Sequence, residues 1–320
     1  MTKVLVAGGA GYIGSHIVYE LIDAGFGVLV LDDLSTGHIE NVAPRAKFVN
    51  GNINDVELID SLLKDIDVVI HLAASKAAGD SMVNPEEYSE NNIIHSTYLL
   101  NSCLKNKVKK IIFSSTAAVY GFPQYLPIDE DHDLKPINYY GFTKLVIEQQ
   151  LNWLCKLKNI KVACLRYFNA AGYDNSGRVK QKENNPQNLL PIVMEVANRS
   201  RKELEIYGSD YNTKDGTCMR DYIHVNDLAT AHVKSIDALD GKNHITLNLA
   251  TGNSYSILDV IAAAKRVTGR PIPYRIVDRR PGDPDKLYSD SMKAKNIIDW
   301  EPEFSDLDTI IDSMWKIYKN

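Results

Sequence analysis

The first half of the chain alternates short unbroken apolar runs with stretches in which apolar residues recur every three or four positions. Residues 3–7 read KVLVA, with no polar position from Val4 to Ala7. A strand that faces solvent on one side alternates polar and apolar residues, so an unbroken run predicts a strand covered on both faces. Residues 12–24 place Ile13, Ile17, Leu21 and Ile22 at helical spacing, which lines one helix face. The pair of patterns then repeats. Strands are expected at 28–31, 47–50, 68–71, 110–114 and 161–166, with helices near 55–63, 87–105 and 139–156. Parallel strands need long crossovers, usually helical, and those crossovers are right-handed. The pattern predicts an α/β fold built on a doubly wound parallel sheet of the Rossmann type.

After about residue 172 the pattern changes. The stretch 174–187 is polar, rich in Asn and Lys, and reads as a loop. Helices near 189–198, 225–239, 257–267 and 307–318 follow, with short strands between them. The expected organisation is a dinucleotide-binding domain over 1–172, with returning segments around 220–250. Residues 173–320 are expected to form a smaller C-terminal α/β domain that mainly binds substrate.

Composition narrows the classes of function. The net charge is -5, from 36 basic and 41 acidic residues, which argues against a nucleic-acid binder that works by general attraction. It leaves room for a small anionic ligand held by a few arginines. The four cysteines, Cys103, Cys155, Cys164 and Cys218, form no CxxC pair and read as reduced packing residues of a cytoplasmic protein. The chain enters a strand pattern at Lys3, so no leader is expected, and no apolar run approaches the ~18 residues of a membrane helix. The eight histidines lack ligand spacing, so no metal is expected. His71, at a strand end, reads as a hydrogen-bonded structural residue.

The first candidate site follows the first strand directly. Gly9, Gly11 and Gly14 satisfy G-x-G-x-x-G within GGAGYIGSH at 8–16, and Asp32 stands 18 positions beyond Gly14 at the end of the second strand. Glycine permits the tight turn and the close approach of backbone to a pyrophosphate, which then meets the positive end of the following helix. A carboxylate at Asp32 can bond both ribose hydroxyls of NAD and repels the extra phosphate of NADP.

The second lies at the end of the fifth strand. SSTAAVYG at 114–121 precedes Tyr140-Gly141-Phe142-Thr143-Lys144, a Y-x-x-x-K spacing on an expected helix, with Tyr140 24 residues past Thr116. Residues four apart share a helix face. Lys144 is therefore expected beside the Tyr140 phenol, lowering its pKa toward the range of a general base.

Taken with His71-Leu72-Ala73-Ala74, Arg166-Tyr167-Phe168-Asn169, MRDYIH at 219–224 and Arg280-Pro281-Gly282-Asp283, these motifs resemble the extended short-chain dehydrogenase/reductase family nearly end to end. Within it they resemble the nucleotide-sugar epimerases that interconvert UDP-glucose and UDP-galactose at C4. The resemblance implies tightly bound NAD, a UDP-sugar substrate and a 4-keto intermediate that turns over between oxidation and reduction. It makes Tyr140 the base, with Thr116 on the same sugar hydroxyl and Lys144 holding the nicotinamide ribose. Against NAD it places Gly8, Gly11, Tyr12, Ile13, Gly14, Asp32, Asp33, Asn52, Ile53, Leu72, Ala73, Ala74, Lys76, Asn92, Ser114, Tyr140, Lys144 and Phe168. Around the UDP-sugar it places Thr116, Tyr140, Asn169, Asn188, Leu189, Tyr207, Arg220, Arg280 and Asp283, with the two arginines on the diphosphate and Tyr207 against uracil. It also implies a homodimer through the helices that carry Ile93, Ile94, Tyr98, Leu99, Val146, Leu151 and Trp153.

Two positions depart from the family pattern. Asn52 stands where many relatives carry aspartate, and its amide oxygen is expected to accept from the adenine amine. Leu287 stands at the position that bears on N-acetyl acceptance, neither a bulky tyrosine nor a small residue. UDP-GlcNAc/UDP-GalNAc therefore stay open as substrates, and a sister 4-epimerase of the same fold acting on UDP-glucuronate or UDP-xylose is the other alternative. A 4,6-dehydratase is disfavoured because Ala117 and Ala118 follow Thr116 and neither can move a proton. A non-catalytic NAD-sensing protein would be expected to lack Tyr140 or Lys144.

Overall fold

The apolar runs of the first half form one sheet. In the computed structural model, which describes residues 1–183, 186–280 and 282–319, the strands are β1 (Lys3–Ala7), β2 (Gly27–Asp32), β3 (Lys47–Asn50), β4 (Val68–His71), β5 (Lys110–Thr116) and β6 (Lys161–Tyr167). Short pieces follow: β7 (Asn169–Ala171), β8 (Leu204–Tyr207), β9 (Met219–Arg220) and β10 (Tyr222–His224). Then come β11 (His244–Leu249), β12 (Tyr255–Ser256), β13 (Tyr274–Val277) and β14 (Lys286–Leu287). The main sheet has the order β11-β6-β5-β4-β1-β2-β3, and every pair in it is parallel. Asn184 and Asn185 of the polar stretch, Pro281 of the Arg280–Asp283 motif, and Asn320 lie outside the described residues.

The ten α-helices of the described residues are α1 (Tyr12–Asp23), α2 (Val56–Leu62), α3 (Pro85–Tyr88), α4 (His95–Lys105), α5 (Tyr139–Lys158), α6 (Leu189–Ala197), α7 (Val225–Gly241), α8 (Ile257–Thr268), α9 (Met292–Ile298) and α10 (Leu307–Tyr318). Successive residues of a strand point to opposite faces. Val4 and Val6 accordingly pack with Ile17 and Leu21 of α1 and Leu228 of α7, while Leu5 and Ala7 pack with Leu99 of α4 and Leu151 of α5. This double cover is why β1 carries no polar position after the exposed Lys3 at its start. Each such side chain contributes about 1.5–3 kcal/mol by leaving water. A separate apolar cluster joins α6, α8 and α10 through Val193, Met194, Val260, Ile310 and Ile311.

One expected element takes a different form. The helix expected over 87–105 is α3, a π-helical turn over 89–94, and α4. The wider turn accommodates the buried side chain of Asn92, whose Oδ1 accepts from Ser75 N at 2.8 Å while its Nδ2 donates to Ser75 O at 2.9 Å and Thr143 Oγ1 at 3.1 Å. Leu99 and Leu151 belong to the core of the monomer, leaving Ile94, Tyr98, Phe142 and Trp153 exposed on this side of the molecule. No helix among the described residues is long and apolar enough to cross a membrane.

Candidate active site

A cleft of about 450 Å³ opens at the carboxyl ends of the parallel strands. It lies beside the point between β1 and β4 where the strand order reverses, the place where sheets of this kind bind ligands. Its floor is the glycine turn. Gly8 has φ +85°, and a Cβ added at Gly14 would stand 2.1 Å from Gly8 O, so only glycine at 14 lets α1 start this close to the turn. No side chain caps α1, and its first turn carries no acidic residue. Its free N–H groups and positive dipole end are left open to an anion.

Asp32 forms the far wall. Its Oδ2 accepts from Ala10 N and its Oδ1 from Leu34 N, each at 2.9 Å, so the carboxylate is held rigidly at the rim. Burial raises its pKa, and these backbone bonds oppose the rise. Beside it, Asp33 Oδ2 accepts from Asn52 Nδ2 at 2.6 Å. Asn52 Oδ1 accepts from Asn54 N at 2.9 Å, so the oxygen expected to be free for adenine has one lone pair already engaged. Tyr12, Ile13, Ile53, Leu72, Ala73, Ala74, Lys76 and Ser114 also line the cleft. Lys76 makes an ion pair with Glu183, which brings the polar stretch to the cleft edge.

Two residues expected against the cofactor lie outside this wall. Asn92 is buried behind it and fixes the Ser75 loop from the rear. Phe168 packs into a cluster with Ala117, Val119, Tyr120 and Leu145. The polar Asn92 is drawn inward by three hydrogen-bond partners, and Phe168 by apolar neighbours.

Tyr140, Lys144 and Ser114 line the opposite end of the cleft together. Lys144 Nζ lies 6.0 Å from the Tyr140 ring centre and 4.8 Å from that of Phe113, and donates to Ser114 O at 2.9 Å. Burial takes its amine down to about 7, with Glu148 pulling the other way. The expectation that Lys144 lowers the phenol's pKa is not met. Burial pushes Tyr140 up to about 12, and the group that opposes it is the hydroxyl of Thr116, through a side-chain hydrogen bond. At this buried position the desolvation of a phenolate dominates. His71 is structural, as expected: its Nε2 meets Ser96 Oγ at 2.8 Å.

Most of the other residues expected around the UDP-sugar lie beyond residue 187 in the chain. Arg220 forms an ion pair with Asp283 at 3.4 Å, and its Nη1 donates to Met219 O at 2.8 Å and Pro284 O at 2.9 Å. Asp221 does not pair with it; that carboxylate is buried and accepts from Thr251 and Gly252. Asn169 Nδ2 donates to Asp221 O at 2.8 Å. Arg280 stacks on the Tyr207 ring. Asn188 is the uncapped N-cap residue of α6, followed by Leu189. Leu287 packs against the cluster that contains Phe168 and Tyr120.

The geometry matches what known proteins of this shape do. Residues 4–250 match the NAD dependent epimerase/dehydratase family. The chain belongs to that family. Within it, the chain is 45% identical over 320 residues to a UDP-glucose 4-epimerase of Halalkalibacterium halodurans, covering 99% of this chain and 95% of the relative. The UDP-glucose 4-epimerase of Brucella ovis, solved in complex with NAD, superposes with a TM-score of 0.97 at 40% identity, covering 100% and 99% of the two chains. That of Bifidobacterium longum, solved with NAD+ and UDP, gives 0.94 at 40%, covering 99% and 98%. The cofactor of this epimerase is NAD, and the open α1 terminus, the glycine floor and the Asp32 carboxylate fit its pyrophosphate and ribose.

The sequence reading missed Ser35, Thr36, Ser75, Asn91 and Tyr167, which also line the cleft. Ser35 and Thr36 directly follow Asp32-Asp33-Leu34, and Ser75 directly follows Ala73-Ala74; proximity to those motifs was the available signal. Tyr167 lies within the quoted Arg166–Asn169 motif but gave no sign of facing the cleft.

Proposed function

We propose that this NAD-dependent epimerase reversibly inverts C4 of UDP-glucose and UDP-galactose, with Tyr140, Thr116 and Lys144 as its catalytic residues. The observation that carries the reading is that Tyr140 and Lys144 line one end of a cleft whose other end is the glycine turn and Asp32, with the Thr116 hydroxyl bonded to Tyr140 from behind that lining. When bound, NAD would supply a reversible two-electron acceptor for the sugar carbon and the positive charge of its oxidised ring. That charge favours the phenolate.

Tyr140 Oη then takes the proton of the sugar 4-hydroxyl and later returns it, while Thr116 Oγ1 holds the same oxygen. Lys144 Nζ, anchored on Ser114 O, holds a ribose hydroxyl with its remaining protons. Arg220 and Arg280 clamp the diphosphate, for which a planar fork with a permanent charge is suited. Asp283 takes the uridine ribose, Tyr207 the uracil and Asn169 the sugar or phosphate, while Asn188 and Leu189 line the nucleotide pocket. The 4-keto sugar turns about its diphosphate link and presents its other face. Residues 1–172 with the returning β11 supply the cofactor half, and most of 173–320 supplies the substrate half.

The exposed Ile94, Tyr98, Phe142 and Trp153 on the α4–α5 side form an apolar surface that a second copy would cover, giving a homodimer. The composition and free cysteines support a cytoplasmic location. A second reading extends the substrates to UDP-GlcNAc, because Leu287 is smaller than a tyrosine.

Purified protein, given no added NAD, is incubated separately with UDP-galactose, UDP-GlcNAc, UDP-xylose and UDP-glucuronate, and the products are separated by chromatography. Conversion of UDP-galactose to UDP-glucose is expected. Failure to convert any of the four, with or without added NAD, overturns the proposal.

A further inference from the structure

Tyr140, Lys144 and Glu148 stand four residues apart on one face of α5, and they meet three consecutive residues at the end of β5. Tyr140 meets the Thr116 hydroxyl, Lys144 Nζ donates to Ser114 O at 2.9 Å, and Glu148 Oε1 accepts from Ser115 Oγ at 2.5 Å. The mechanism above uses the first two contacts and leaves the third without a role.

That third contact is elaborately supported. Glu148 and Arg166 are both buried, and Arg166 Nε and Nη2 donate to the two carboxylate oxygens at 3.0 and 2.6 Å. Arg166 lies directly across from Ser115 in the β5–β6 register. Its Nη1 continues to Tyr120 Oη at 2.8 Å, which donates to Asn248 Oδ1 of β11 at 2.6 Å. A buried ion pair brings little net stability against apolar residues of the same volume, because both charges lose their hydration. Its placement therefore calls for another reason, and it sits behind the strand end that holds Thr116 and Ser114.

We infer that Glu148 is a positioning residue for the C4 chemistry: its carboxylate fixes residues 114–116 against α5, keeping Thr116 and the Ser114 carbonyl in line with Tyr140 and Lys144, and it supplies the negative charge facing the Lys144 ammonium. The inference rests on the proposed roles of Tyr140 and Lys144. The groups around that ammonium come from four elements. Tyr140 and Glu148 lie on α5, the Phe113 ring and Ser114 carbonyl on β5, His71 ends β4, and Arg166 and Tyr167 lie on β6. Burial lowers His71 to about 3 and so keeps it neutral, and it raises both phenols, so that Tyr140 stays neutral until bound NAD favours its phenolate. The Arg166 charge is committed to Glu148. Glu148 is left as the acidic side chain that acts on Lys144, against the burial that takes the amine to about 7.

The test follows the Lys144 amine directly. Protein labelled with ¹⁵N-lysine is titrated by NMR, with the Lys144 signal identified by its loss in Lys144→Met, and kcat and KM for UDP-galactose are measured across pH. In Glu148→Gln the amine midpoint is expected to fall by about one unit, as loss of a neighbouring opposite charge does. The alkaline limb of kcat should move down with it, while KM changes little. A midpoint that stays in place overturns the inference, even if activity drops evenly at all pH values, since that would be a structural effect alone. If Glu148→Gln leaves Arg166 orphaned and does not fold, Glu148→Gln combined with Arg166→Met is compared with Arg166→Met alone, so that the Glu148 charge is the one difference, and the same two outcomes decide. Should the wild-type protein convert no UDP-sugar, the functional reading falls while the titration still decides the role of Glu148.

Discussion

The guanidinium of Arg280 lies over the ring of Tyr207, 3.8 Å from its centre. The proposed function gives these residues two different parts of one ligand, diphosphate and uracil. If uracil takes the same ring face, Arg280 must swing toward the diphosphate as the substrate enters. A guanidinium–aromatic contact is worth about 0.5–2 kcal/mol, less than the charge-assisted bonds that replace it.

Arg280→Ala is therefore expected to raise KM for the UDP-sugar with little change in kcat. Loss of hydrogen bonds to a charged group costs about 1.5–3 kcal/mol, roughly a ten- to hundredfold rise. Steady-state kinetics check this, and an unchanged KM would remove Arg280 from the diphosphate clamp.

Tyr140→Phe keeps the shape of the cleft and removes the proton acceptor. The expected result is retention of NAD and of UDP binding, measured by calorimetry, with turnover lower by about 10²–10⁴. Turnover near that of the parent protein would take the base role from Tyr140.

Gly14→Ala places a methyl group 2.1 Å from a backbone oxygen that cannot swing aside. The first turn of α1 must shift away from β1. We expect a loss of about 2–4 kcal/mol in stability together with loss of retained NAD, read by denaturant unfolding and by the absorbance of released cofactor. A protein of parental stability that retains NAD would show that the turn can relax.

His16, His71, His224 and His232 are buried and neutral, lowered from 6.5 to about 4, 3, 3 and 4. Between those values and 6.5 the unfolded chain binds more protons than the folded one, so stability is whole above 6.5 and declines as pH falls toward 4. The buried carboxyls of Asp221, pushed up to about 7, and Asp227, also raised, work in the opposite sense, but four histidines outweigh them. The Tm of the protein should fall between pH 7 and pH 5; a Tm that rises over that interval would contradict the burial of these rings.

Much of the fold was legible because the chain states it locally. KVLVA needs only its own five residues to announce a strand buried on both sides, and β1 runs from Lys3 to Ala7. The cofactor turn was legible for the same reason: Gly8, Gly11 and Gly14 are close in sequence and their steric need is local. The Tyr140–Lys144 spacing was legible, but the state of the phenol was not, because desolvation depends on what covers the ring. The inward turn of Asn92, the pairing of Arg220 with Asp283 and the stacking of Arg280 on Tyr207 all join residues distant in the chain, and no spacing rule reports them. α9 was missed because its seven residues carry two buried positions, Ala294 and Ile298, too few to show a period.

β11 comes from beyond residue 240 and completes the main sheet by pairing with β6 along its full length. A fragment ending near residue 172 would contain every glycine of the turn and both Tyr140 and Lys144, yet it would expose the backbone of β6 as an unmatched border. Such a border recruits whatever strand is at hand, and a second copy of the fragment is the nearest. The two halves of the molecule are thus stitched together in a way that makes them poor candidates for exchange as independent modules.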